Sequence, residues 1–498
     1  MRPRSLLLFL LLLNPSTLVA QGYRVRLDNR VQSVAFRGVL LDSIPSSAVV
    51  TGAGGGTFSS DGFAVRCSVS NTFCYFFRPG AEHRAAPAVT GLDITLWRLG
   101  VTGLSFHGNV RMAFDLGDAD VWPGTHPDVQ LLEAFAEYNK EAFQGRLGRQ
   151  VYTSRLGFSG FDGARITVRD VHRGFDALGY LGEGLARGIA LPVTTNALNP
   201  LDDFQPRDRQ IVAGAALGYS GTVADVRLDY QREVDPIPDY FVSERAALAT
   251  TIRPFSRLAL LGGAEYDIAQ GIWGSADATL RYAAHQWTAS AGVLRYRPHF
   301  ELWTIWGAFS PVAYHAVNGA ASYSGVPHLQ LRARGTRFWY EDTETDTPLA
   351  NVEDHGWRLS LGATWSPFTR WSFDLGHDAE FGPGASYSSY DAAATFATSD
   401  KILLTVHAAR LIRPLEFRFD EATLHQFGME GSWRPSERWQ LDVSAVRYME
   451  KRDRPDAAGF DWDQTRLSAR LAFLFGSADD LLRLPKGRRP TSTGTRAQ

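Results

Sequence analysis

Arg227, Arg332, Arg334, Arg358, Arg466 and Arg470 stand against Asp229, Asp374 and Asp442 in segments where polar and apolar residues alternate one for one. Guanidinium and carboxylate groups held in rows on one face can bind, steer or neutralise ions, because arginine presents a rigid fork of donors. That chemistry is recognition and passage, not bond making. The balance of this face leans positive. Other chemistries lack their residue sets. The twelve histidines are scattered, none at ligand spacing from a carboxylate on the same face, so no metal site is expected. Asp115, Asp118, Asp120 and Asp128 form an acidic loop, read as solvated surface with a Ca²⁺ site as the alternative. Gly52, Gly54, Gly55 and Gly56 are not followed by the Lys-Ser and helix pattern of a phosphate loop. No cofactor is expected.

The elements that would carry these rows are strands. In Trp357 to Trp365, Trp, Leu, Leu, Ala and Trp share one face while Arg, Ser, Gly and Thr share the other. Trp371, Phe373 and Leu375 alternate in the same way with Ser372 and Asp374, as do Trp439, Leu441 and Val443 with Gln440, Asp442 and Ser444. Between such runs lie three similar turns: Arg253-Pro254-Phe255-Ser256-Arg257, Ser366-Pro367-Phe368-Thr369-Arg370 and Arg434-Pro435-Ser436-Glu437-Arg438. Each proline fixes φ and removes a donor, which suits a tight antiparallel connection. Tryptophans crowd the strand ends, at Trp357, Trp365, Trp371, Trp433, Trp439 and Trp462, where a membrane interface favours them.

The pattern predicts an all-β fold: a transmembrane antiparallel β-barrel over residues 89–476, of about 18 strands (16 to 20), greasy outside and wet inside. The count is soft over Phe300 to Gly325 and Gly174 to Asn199, where Gly and Pro blur the rhythm. A soluble β-sandwich or propeller is the alternative that the aromatic girdles argue against. Long polar insertions at Glu341 to Gly356 and Glu450 to Asp461 should be extracellular loops opposite the proline turns. The last strand, Thr465 to Phe475, is followed by residues 477–498, a Ser/Thr-rich stretch expected to be a disordered periplasmic tail.

At the other end, Arg2 and Arg4 precede the apolar run Leu6 to Leu13 and a small-residue stretch, so residues 1–20 read as a signal peptide for export. Eight apolar residues are too few for a spanning helix, which needs about 20. Residues 21–88 are richer in Gly, Ser and Pro and could be a lumenal plug, a small subdomain or the first hairpins of the barrel. Within them, Cys67 and Cys74 flank a short loop, and a disulfide is expected in an oxidising compartment. The 51 basic residues nearly balance 53 acidic ones, so nothing points to a nucleic-acid partner. All but Lys140, Lys401, Lys451 and Lys486 of the basic residues are arginine, a bias that genome composition would also produce.

Gly145-Arg146-Leu147-Gly148-Arg149-Gln150, then Arg155, then Phe161-Asp162-Gly163-Ala164-Arg165 resemble a motif of the alginate-export and porin-like outer-membrane barrels, in which a strand ending LGRQ is followed by a loop and a strand opening FDG. The match covers about 20 residues, and Asn196 to Asp202 adds a weaker echo. The resemblance implies an 18-strand barrel with a polar, often Arg-lined constriction, and it makes Arg149, Gln150, Arg155, Asp162 and Arg165 candidates to line that pore. The alternative is that Arg149 and Asp162 pair across strands and stiffen the wall. Tyr314 to Gly319 resembles the outer-membrane phospholipase pattern, but Val317 stands where the nucleophilic Ser belongs, so His315 has no hydroxyl to activate. The expectation is therefore a non-enzymatic, porin-like channel in the cell outer membrane that passes small polar or anionic solutes. Its partners would be outer-membrane lipid and the barrel-assembly machinery. The rival is a plugged structural or ligand-docking barrel.

Overall fold

The computed structural model describes residues 22–52, 55–67, 72–97, 99–117, 129–170, 172–185, 210–234, 241–297, 313–341, 354–382, 386–414, 421–452 and 462–477. Residues 1–20, Asn196 to Asp202, most of the acidic loop and the stretch after residue 477 lie outside them. The described residues form 26 strands, numbered β1 to β26 in chain order. None of their helices is long and apolar enough to cross a membrane.

Twenty-two strands close into one antiparallel cylinder, made of β1 (Gly22–Pro45) and the run from β6 (Pro87–Trp97) to β26 (Trp462–Gly476). Closure falls to β1, in which Arg24 pairs with Gly476 of β26 and Ser33 with Leu467, while Gly22 pairs with Trp97 of β6 and Val31 with Ala88. The expected number of about 18 is therefore corrected to 22, and the barrel starts at Gly22 instead of residue 89. Two physical reasons account for the shortfall. Strands such as β12 (Ile211–Ser220), rich in Ala and Gly, carry too little side-chain contrast to show a period, and the alternating Tyr23-Arg24-Val25-Arg26-Leu27 is cut off from the other wall strands by the Gly-rich stretch Thr51 to Gly62.

Alternation sorts side chains to the two faces. Leu361, Leu375, Val406 and Val443 are 44% to 60% exposed on the outer surface, which for apolar side chains calls for lipid. Aromatic pairs mark both rims of this belt. Trp365 stacks near Phe373 and Trp439 near Phe473 at one end, with Trp357 on Phe381 and Tyr296 near Tyr314 at the other. On β20 (His355–Phe368), Trp357 and Trp365 are eight residues apart, about 26 Å along the strand, which a tilt of about 40° reduces to about 20 Å along the barrel axis, so the two rings lie just inside the edges of the ~25 Å apolar band of such barrels.

The three proline turns share one construction. The strands β14 (Phe241–Phe255), β20 and β24 (Glu421–Ser436) each carry a bulge in their last residues, at Ile252/Phe255, Trp365/Phe368 and Trp433/Ser436. Pro254, Pro367 and Pro435 sit inside those bulges, where the ladder asks no N–H of them. Two-residue turns then reverse the chain. All three lie at the rim that holds Gly22 and Gly476, and the strand ends near Glu341, Asp354, Arg452 and Trp462 lie at the opposite rim.

Beyond that opposite rim β1 continues, paired with β5 (Phe73–Ala85) from Val34↔Ala85 to Pro45↔Phe73. This ladder prolongs the wall past the barrel. At its tip Cys67 and Cys74 are joined by a disulfide, and Val65, Cys74 and Phe76 form a small buried cluster with Phe63 stacked on Phe76. Replacing both cysteines by serine is expected to cost this tip about 2–3 kcal/mol while leaving barrel melting unchanged. Limited trypsin digestion, reading cleavage at Arg66 and Arg78, checks it.

Candidate functional site

Strands β9 (Phe143–Ser154) and β10 (Gly157–Asp170) start as ordinary staves and then leave the wall. Pairing of β8 (Val129–Lys140) with β9 stops at Ala134↔Arg149, and pairing of β10 with β11 (Phe175–Gly184) begins only at Phe161↔Gly184. Between these points the two strands pair with each other alone, closing over Arg155-Leu156. The tip contacts inward-facing residues several strands away, so it lies inside the lumen. The Tyr152 hydroxyl hydrogen-bonds the Asp229 carboxylate on β13 (Ala224–Val234), Arg227 donates to the Tyr152 oxygen at 2.7 Å, and Ser159 donates to Gln231 at 2.9 Å. Arg155 reaches Asp277 on β16 (Ile272–Ala283) and, at 3.6 Å, Glu265 on β15 (Leu258–Asp267).

Two glycines make the bend. Gly148 and Gly163 face each other in the ladder, and Gly148 has φ +124°, a region closed to other residues at little cost. A Cβ on Gly148 would strike the Ala134 carbonyl oxygen, and one on Gly163 would strike the Leu181 carbonyl oxygen. Gly163→Val should therefore cut the refolded fraction severalfold, whereas Ala164→Val, facing outward one residue on, should not. Heat-shift of the folded band on gels measures both.

The turned-in hairpin packs on the wall through a small internal core of Tyr152, Phe161, Tyr180 and Val212. Phe161 stacks on Tyr180 at 5.2 Å, and Phe161 and Gln150 are fully buried. Most barrel interiors of this size are hydrated, so this dry patch is what fixes the hairpin in one position.

The candidates from the sequence separate accordingly. Arg149 and Asp162 form a bidentate pair at 2.7 Å on the face that carries Leu147 and Ile166, so they brace the shoulder of the bend and do not line the lumen. Gln150 faces inward but is covered, donating to the Gly163 carbonyl at 3.0 Å. Arg165 props the hairpin from below, donating to the Val151 carbonyl at 3.2 Å. Of the five, only Arg155 stands at the constriction.

The remaining arginines face the lumen, three of them in ion pairs. Arg227 meets Asp176 and Asp229, Arg358 meets Glu380 at 2.9 Å, and Arg470 meets Asp28 and Asp442. Arg466 donates to Gln464, Arg332 to the Thr364 hydroxyl, and no ion pair engages Arg334 among the described residues. His315 and Val317 sit on the outer face of β18 (Tyr314–Tyr323), with Asn318 on the inner one, so the phospholipase-like residues do not share a site. At the rim His315 lies 3.2 Å from Glu341, whose carboxyl is held below its usual range by hydrogen bonds from Arg295. The sequence placed Asp229 on the inner face but gave no sign of Tyr152, Glu265 and Asp277; the paired mid-strand glycines were the available signal.

No protein-family model matches the chain, and no curated protein matches it. Among solved structures, the chain is similar to the ferric enterobactin receptor of Pseudomonas aeruginosa in complex with enterobactin, with a TM-score of 0.52 and 11% identity over 92% of this chain and 82% of that one. OccAB1 of Acinetobacter baumannii aligns with TM-score 0.40 and 7% identity over 92% of this chain and 97% of its own. OpdK of Pseudomonas aeruginosa, with vanillate, aligns with TM-score 0.39 and 10% identity over 92% and 100%. At such identity the likeness to the enterobactin receptor is one of fold: a large closed antiparallel β-barrel.

Proposed function

We propose that the chain is an outer-membrane channel through which small polar or anionic solutes diffuse passively. One observation carries this reading: a closed barrel with an apolar exterior and a charged interior, narrowed by a hairpin of its own wall. Closure leaves no unpaired strand edge in lipid. The proline turns and the strand ends at Gly22 and Gly476 would face the periplasm, and the long connections with the disulfide-pinned hairpin would face outward. Residues 1–20 would direct export, residues 477–498 would be a periplasmic tail, and insertion would use the barrel-assembly machinery. The LGRQ and FDG resemblance to alginate-export barrels fits a constriction at this place. No chemistry is assigned to the chain beyond transport.

A plugged, ligand-docking barrel is the second reading, favoured by the likeness to the enterobactin receptor and by the strand number, since 22-stranded transporters enclose a plug. Against it, the lumen-entering element found among the described residues is the β9–β10 hairpin, and the segment before residue 87 contributes a wall strand. Planar-bilayer recording of the refolded full chain distinguishes the two. Steady ohmic conductance is expected for the channel; a closed trace at every voltage would sink it.

A further inference from the structure

A recess of 490 Å³ opens on the lumen wall between β16 and β22 (Tyr387–Ser399). Its charges lack the ion pairs that several other lumen arginines make. Arg146, Arg155, Arg227, Arg358 and Arg470 each hold a carboxylate. Arg281, Arg332 and Arg334 line the recess with no ion pair among the described residues, and Asp378 and Asp391 line it with none either. The two signs are kept apart by the ladder. Arg332 on β19 (Leu329–Tyr340) pairs with Gly362, which pairs with Gly376 on β21 (Trp371–Phe381), which pairs with Asp391. In the adjoining row Arg334, Ser360 and Asp378 follow one another. At about 4.8 Å per strand, the backbones of the basic and acidic residues are ~10–14 Å apart.

The side chains of Arg332 and Asp391 lean toward each other across a glycine floor. The Arg332 guanidinium lies over Gly362, where a Cβ would meet its Nε at 3.3 Å, and the Asp391 carboxylate lies over Gly376. About one strand spacing then separates them, too far for direct pairing, and a small molecule bearing both charges that lies above the glycine floor can reach both.

We propose that this recess binds zwitterionic solutes of α-amino-acid size, the carboxylate on Arg332 and Arg334 and the ammonium on Asp391 and Asp378. The proposal rests on the channel reading for access of the solute to the lumen, and it narrows the solute class. A solute with both charges satisfies both walls, whereas an anion or cation alone leaves one unpaired.

The test is isothermal titration of the full chain, folded in detergent, with L-alanine, propanoate and ethylammonium, the last two each lacking one of alanine's charges. L-Alanine is expected to bind at least about tenfold more tightly than either, a difference of ~1.4 kcal/mol. Arg332→Gln and Asp391→Asn should each remove that advantage, with circular dichroism confirming the fold. Equal binding of propanoate would reveal a plain anion site, equal binding of ethylammonium a plain cation site, and absent alanine heat no site; each overturns the proposal. The wild-type comparison decides even if a variant misfolds. A barrel that conducts without binding alanine defeats this inference alone, and one that binds without conducting defeats the channel reading alone.

Discussion

Arg155→Glu is expected to raise the single-channel conductance severalfold. In the native chain the Arg155 guanidinium ties the hairpin tip to Asp277 and Glu265, with side chains only 19% to 32% exposed. The reversal replaces two attractions with two repulsions in a partly hydrated lumen, so the change is discounted from the buried-pair value to about 3 kcal/mol. That is roughly a hundredfold shift in the ratio of latched to released hairpin. The Tyr152 contacts to Asp229 and Arg227 remain, so the tip would lift before the base. Combining Arg155→Glu with Asp277→Arg restores an ion pair of opposite sense and should bring conductance back toward the native level. Unchanged conductance in a properly folded Arg155→Glu barrel would show that the hairpin does not limit passage.

Val406→Arg should lower the stability of the barrel in liposomes by about 2–4 kcal/mol, while Thr405→Arg should leave it nearly unchanged. The residues are neighbours on β23 (Ile402–Pro414) and point to opposite faces. Val406 is 56% exposed on the outer surface, and Thr405 hydrogen-bonds Thr395 on the inner one at 3.1 Å. An arginine among acyl chains loses hydration, whereas one in a wet lumen keeps it. Urea titration followed by tryptophan fluorescence measures both. Equal losses would mean that the exposed apolar face does not contact lipid.

The fold was legible where the chain repeats a contrast. Trp357 to Trp365, Trp371 to Leu375 and Trp439 to Ser444 each state inside and outside in a few residues, and Pro254, Pro367 and Pro435 mark where the chain turns. The candidate site was legible only as composition. Arg149, Gln150, Arg155, Asp162 and Arg165 fall on one hairpin, but their neighbours in sequence do not reveal that Arg149 braces a shoulder while Arg155 crosses the lumen.

The sequence by itself determined an antiparallel wall with a greasy face and a polar face, since side-chain alternation is a property of each strand alone. Only the tertiary structure decided that 22 strands close the cylinder, that Gly22 to Ser33 seals it, and that the β9–β10 hairpin turns inward at Gly148 and Gly163. Closure and bending depend on which strand stands beside which. A hairpin leaving the wall keeps the same rhythm as one that stays, so only its contacts with Asp229, Glu265 and Asp277 tell the two apart.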